Sequence, residues 1–173
     1  PDFFPMIVLD SILSGASSFN MFGSGISNKT SRLYRALILK GLAAGFSGSL
    51  SATVDPFLYS ITCAVRTDRS IEQVETALNE EIEYAINHAP TEEELSKAKK
   101  QARAMFAYSS ESVTNLGFWY GFAEILDDYS WFTNYIDKLE AVTSSDVHRI
   151  AQKILIPSNR TTGYYIPNDG TIT

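Results

Sequence analysis

Apolar residues follow two different periods along this chain, and the change of period divides it. In FFPMIVLDSIL, Ile7, Val8, Ile12 and Leu13 recur at helical spacing. Asp2 stands at the capping position, Pro5 lies in the first turn and Gly15 follows the end, so a helix is predicted over about 3–14. The next segment, GASSFNMFGSGISNKT, has Gly, Ser and Asn but no apolar period, which predicts an exposed or ligand-facing loop. SRLYRALILKG then resumes the helical pattern through Leu33, Ala36, Leu37 and Lys40 and stops at Gly41. From Phe46 to Val65 the period becomes two: Phe57, Tyr59, Ile61, Cys63 and Val65 share one face of a strand. Asp55-Pro56 breaks the run between GFSGSLSATV and FLYSITCAVR, because proline fixes its own backbone and pushes its predecessor out of helix, so a hairpin is expected.

Three capping boxes then announce helices. Ser70 with Gln73 opens SIEQVETALNEEIEYAINH, whose Ile71, Val74, Leu78, Ile82 and Ala85 form one stripe. Thr91 with Glu94 opens TEEELSKAKKQARAMFAY, with acids in the first turn and Lys97, Lys99, Lys100 and Arg103 beyond, the order the helix dipole favours. Thr143 with Asp146 opens SSDVHRIAQKIL, which stops before Pro157. Between the last two boxes, NLGFWYGFAEILDDYSWFTNYIDKL carries two apolar helical segments whose aromatic residues predict a core seam. After Pro157, RTTGYYIP predicts a last strand. The expectation is a single α+β domain over residues 1–173, an antiparallel or mixed sheet packed on several helices.

Composition narrows the function classes. With 173 residues, 45% of them hydrophobic, the chain can build a real core. Lys+Arg 14 against Asp+Glu 20 gives a net charge of −6, so no general field attracts a phosphate backbone, and nucleic acid is not expected as a partner. No run reaches the roughly 18 apolar residues that span a bilayer, which predicts a soluble chain; the compartment stays open, with bacterial cytoplasm and periplasm among the candidates. The opening PDFFPMIVLD has no initiator Met, basic n-region or signal-type cleavage site and reads as a mature or excised segment. The single cysteine, Cys63, reads as a small apolar strand residue.

Catalytic constellations are scarce. A catalytic zinc takes three protein ligands with histidine prominent among them, whereas this chain has only His88 and His148, neither in a His-x-x-Glu-His motif or its inverse. GFSGS lacks the second glycine and the following helix of a nucleophile elbow. FGSGIS lacks the third glycine and the Lys-Ser/Thr of a phosphate loop. Glu80-Glu81 reads as a solvated helix face, and Asp127-Asp128 as a turn in which Asp128 caps the next segment. No catalytic or metal-binding residue is therefore assigned.

The order of these pieces is more specific than any one of them. ILSG, a Gly/Ser loop, NKTSRLYRALILKGLA, a hairpin, TEEELSKAK and VTSSDVHRIAQKIL-x-P-SNRT together resemble the insulinase/pitrilysin family of zinc metallopeptidases, over nearly the whole chain. The resemblance implies an α+β fold whose halves close around a chamber, with zinc held by an inverted His-x-x-Glu-His helix in an N-terminal half. This chain lacks that helix and so resembles the inactive C-terminal half, with zinc expected in the partner half. It implies a noncatalytic role: completing the chamber that encloses an extended peptide substrate. An arginine and a tyrosine, seven residues apart near KGLA in many members, are replaced here by Leu37 and Ala44. The segment from Gly15 to Lys29 lies where a processing-peptidase subunit has a glycine-rich loop, which implies substrate binding by Gly23, Ser24 and Gly25 through main-chain groups.

Full members carry strands ahead of the first helix, which this chain lacks, so exposed sheet edges and self-association through them are expected. The alternative is a structural subunit of the same fold, like the core proteins of the bc1 complex, with no proteolytic role. An unrelated α+β binding domain built on the aromatic segments is the third reading.

Overall fold

A computed structural model describes residues 2–15, 29–55 and 57–166. Helix α1 (Phe3–Leu13) forms the centre, and every residue from Pro5 to Leu13 is buried. A helix apolar nearly all round can only be covered on all sides. Here α3 (Glu92–Ser109), α6 (Tyr135–Glu140) and α7 (Ser144–Ile154) pack on it, and the hairpin of β1 (Ala43–Leu50) and β2 (Tyr59–Val65) covers another side. α2 (Ile71–Asn87) lies against α7 and β2, while α4 (Val113–Leu126) packs on the short α5 (Ser130–Thr133). The fold is the expected α+β arrangement, rich in helix with a small antiparallel sheet.

The three boxed helices start where the sequence places them. Ser70, Thr91 and Thr143 each accept a hydrogen bond from the backbone N–H three residues on, and the side chains of Gln73, Glu94 and Asp146 reach back to the caps. The aromatic seam is equally real: Trp119, Phe132 and Tyr135 are buried, with Phe106 stacked on Tyr135 at 4.5 Å.

Other elements differ. The SRLYRALILKG helix widens into a π-helical turn over Tyr34–Leu39 with Leu33, Ala36 and Leu37 buried; Gly41, at φ +65°, closes it, and the Leu42 N–H returns to the Leu37 carbonyl at 2.9 Å. β1 begins at Ala43 rather than near Phe46, with a bulge between Ala43 and Gly45.

Asp2 occupies the cap position of α1 but makes no side-chain cap; its carboxylate instead binds Arg149 at 2.8 Å and Lys153 at 2.6 Å across on α7. Two cations on a neighbouring helix outcompete one local N–H, and they lower its pKa to about 2, Lys153 contributing most.

The last predicted strand is a second correction. Pro157–Asn159 form a 3-10 turn, and residues 160–166 run on without pairing in any sheet among the described residues. Arg160 holds this segment to Asn79 of α2 at 2.6 Å, leaving Tyr165 and Ile166 exposed.

Candidate functional site

The hairpin reaches α1 through a buried polar node. Asp10, fully buried in the apolar stripe of α1, accepts hydrogen bonds from the Ser14 hydroxyl and, at 2.9 Å, from the Tyr59 hydroxyl of β2. Burial, reinforced by the Asp10 charge, holds the Tyr59 phenol well above its usual pKa, so it stays a donor. β1 crosses directly above this pair. A Cβ on Gly48 would collide with Ser14 Oγ and Asp10 Oδ1, so glycine alone lets the strand approach. The node ties three points together: the end of α1 at Ser14 and Gly15, the middle of β1, and the start of β2.

A second anchor holds the chain as it returns from the 15–29 segment. Buried Arg32 donates to both Glu94 oxygens at 2.8 Å, and its guanidinium lies 4.8 Å from the Tyr84 ring centre. Arg32 draws the Glu94 carboxyl below the usual range, and Glu94 also serves as the reciprocal partner of the Thr91 cap. Around this pair opens a polar cleft of about 270 Å³, with Ser31, Arg35, Lys97 and Gln101 in its wall.

A larger cleft of about 550 Å³ lies at the other end of α1, floored by Phe3, Phe4, Trp131 and Val142 and rimmed by Thr53, Asp127, Lys138 and Asp146. Its volume falls in the range of small-ligand sites, and its apolar floor with a polar rim suits an apolar side chain on a polar backbone.

The described residues contain no group of three or more His, Cys, Asp or Glu placed to hold a metal ion. His88 ends α2, its ring stacked on Tyr84 at 4.3 Å and its Nδ1 3.1 Å from the Tyr84 carbonyl. His148, on α7, has its Nε2 2.9 Å from the Ile86 carbonyl. Both histidines tie helix ends. Asp128 accepts the Ser130 N–H at 2.7 Å, as a capping carboxylate does.

Residues 1–102 match the sequence profile of the peptidase M16 inactive domain, more than half of the chain. The chain belongs to the M16 peptidase family. Similar solved structures agree with this M16 inactive domain. A candidate zinc protease from Bordetella pertussis Tohama I superposes with a TM-score of 0.79 at 25% identity, over 97% of this chain and 86% of that one. The inactive peptidase domain of a candidate zinc protease from Bordetella parapertussis gives 0.80 at 24%, over 99% and 87%. A protease from Helicobacter pylori shares the fold at 0.67 and 19%, over 88% of this chain and 34% of that one. No curated protein matches by sequence.

Leu37 is fully buried, whereas Ala44 is the exposed residue of the β1 bulge. Gly23, Ser24 and Gly25 lie outside the described residues. The Asp10–Ser14–Tyr59–Gly48 node escaped the sequence reading, though a lone aspartate inside IVLDSIL signals it: a charge in an all-round apolar helix demands partners.

Proposed function

We propose that this M16 inactive domain is the closing half of a zinc peptidase, forming one wall of a chamber that encloses an extended peptide. Membership of the inactive-domain family carries this reading. Residues 1–173 act in it as one domain, and the zinc belongs to an N-terminal half, on the same polypeptide or on a separate subunit. When bound there, the zinc supplies a polarised water for amide hydrolysis. This chain contributes position. The Asp10–Tyr59 and Arg32–Glu94 pairs anchor described residues on either side of the 15–29 segment, and in this proposal Gly23, Ser24 and Gly25 of that segment bind the peptide through main-chain groups. The 550 Å³ cleft offers an apolar seat for one substrate side chain.

Hydrolysis of a quenched, unstructured peptide is the test. Turnover is expected only when the zinc-bearing half is combined with this chain, with KM rather than zinc content responding to changes in the cleft. Equal turnover by the zinc-bearing half without this chain would contradict the proposal.

A further inference from the structure

The polar cleft beside the Arg32–Glu94 pair has a charge balance opposite to that of the whole chain. Acids outnumber bases 20 to 14 overall. The wall of this cleft instead carries Arg32, Arg35 and Lys97 against Glu93 and Glu94, an excess of one positive charge. Arg32 is 6% exposed, and its Nε and Nη2 are taken by the two Glu94 oxygens. The Nη1 end of this buried guanidinium has no hydrogen bond among the described residues. Arg35 and Lys97, both exposed, form no ion pair among the described residues. Glu93 lies four residues ahead of Lys97 on α3, a spacing that often pairs on a helix, yet it leaves Lys97 unclaimed.

Cationic donors gathered in a recess without an acid for each make a site for an anion. The charge balance selects which anion. One surplus positive charge matches a carboxylate, whereas a phosphate monoester carries about −1.5 to −2 and would be repelled by Glu93 and Glu94. The cleft volume of about 270 Å³ lies below the roughly 300–1,000 Å³ of sites that enclose whole small ligands, so it suits an end group of a longer molecule. Thr30 and Ser31 in its wall put it where the chain returns from the 15–29 segment.

We infer that this cleft binds a carboxylate of the extended peptide, held by Arg35 and Lys97, with Arg32 as the most buried donor and the Gln101 amide beside them. The inference rests on the closing-half reading above and names a substrate feature for it. The group is the α-carboxylate that ends a peptide or an Asp or Glu side chain within it. Both present the same planar pair of oxygens, which suits guanidinium donors.

Hydrolysis by this chain combined with the zinc-bearing half tests it, using quenched peptides of one sequence that end in a free acid or an amide and carry Glu or Gln inside. KM should be about tenfold lower for a carboxylate-bearing form than for its neutral counterpart, and the pair of peptides that differs identifies the source. Arg35→Gln and Lys97→Gln, both at exposed positions, should each shrink that preference to about threefold or less through KM, with kcat little changed. A tenfold preference that survives both substitutions together would place recognition elsewhere and overturn the inference. Equal KM for acidic and neutral peptides, in a complex whose turnover needs this chain, would overturn the carboxylate site and leave the closing role standing. Absence of turnover by the combination, or equal turnover by the zinc-bearing half alone, would overturn both readings.

Discussion

The helical side and the hairpin side of this domain are held by different means. α2, α3 and α7 each carry a capping box made by residues three apart, so their starts are fixed by local chemistry. Between the hairpin's strands the Thr53 hydroxyl donates to the Asp55 carbonyl at 2.6 Å, but among the described residues nothing local ties the hairpin to the helices. It is held to α1 by Tyr59 and Asp10, 49 residues apart, and by a glycine that permits the approach. Local devices make a robust layer, whereas distant polar pairs make a surface whose shape depends on each member.

The Arg32–Glu94 pair joins the two regimes, so its loss is expected to be the largest single effect. Arg32→Ala removes a buried guanidinium and two charge-assisted hydrogen bonds to the partly exposed Glu94 and should cost about 2–3 kcal/mol, read from chemical denaturation. Gly48→Ala drives a methyl group into Ser14 and Asp10; about 1–3 kcal/mol is expected, with α1 and the hairpin loosening together in hydrogen exchange. Tyr59→Phe keeps the ring and removes one donor to buried Asp10, for about 1–2 kcal/mol. On the helical side, Thr143→Ala should cost about 1 kcal/mol and leave the hairpin's exchange untouched. Equal spreading of the Thr143 and Gly48 effects over the whole domain would erase the contrast.

Acid sharpens the comparison from another direction. The folded pKa of Asp2, about 2, lies below its ordinary 3.8, so its pairing with Lys153 and Arg149 contributes stability that is complete above about pH 4 and disappears as pH falls toward 2. Glu94, shifted the same way by Arg32, adds a loss of the same sign on acidification. Asp2→Asn should flatten the stability curve between about pH 4 and 2, lowering stability at neutral pH and leaving it nearly unchanged near pH 2.

What the sequence showed follows the same division. Capping boxes, the apolar stripe of α2 and the hairpin break are written within a few residues and were legible, as was the family order of ILSG, SRLY, KGLA and the closing helix. Asp2 misled because a cap is a local rule, and two cations 147 and 151 residues away won its carboxylate. RTTGYYIP has strand composition, but a strand also needs a neighbour, and composition does not supply one. The candidate site was least legible: Tyr59 reads as one more inward apolar residue, and Glu94 as a cap alone, until folding brings Asp10 and Arg32 to them.

Zinc content and peptide hydrolysis, measured side by side on this chain alone and on this chain combined with an N-terminal half carrying the inverted His-x-x-Glu-His motif, test the central claim most directly. The closing-half account predicts substoichiometric zinc and no turnover for the chain alone, with chelator-sensitive turnover in the combination. Stoichiometric zinc with chelator-sensitive hydrolysis by this chain alone would contradict it.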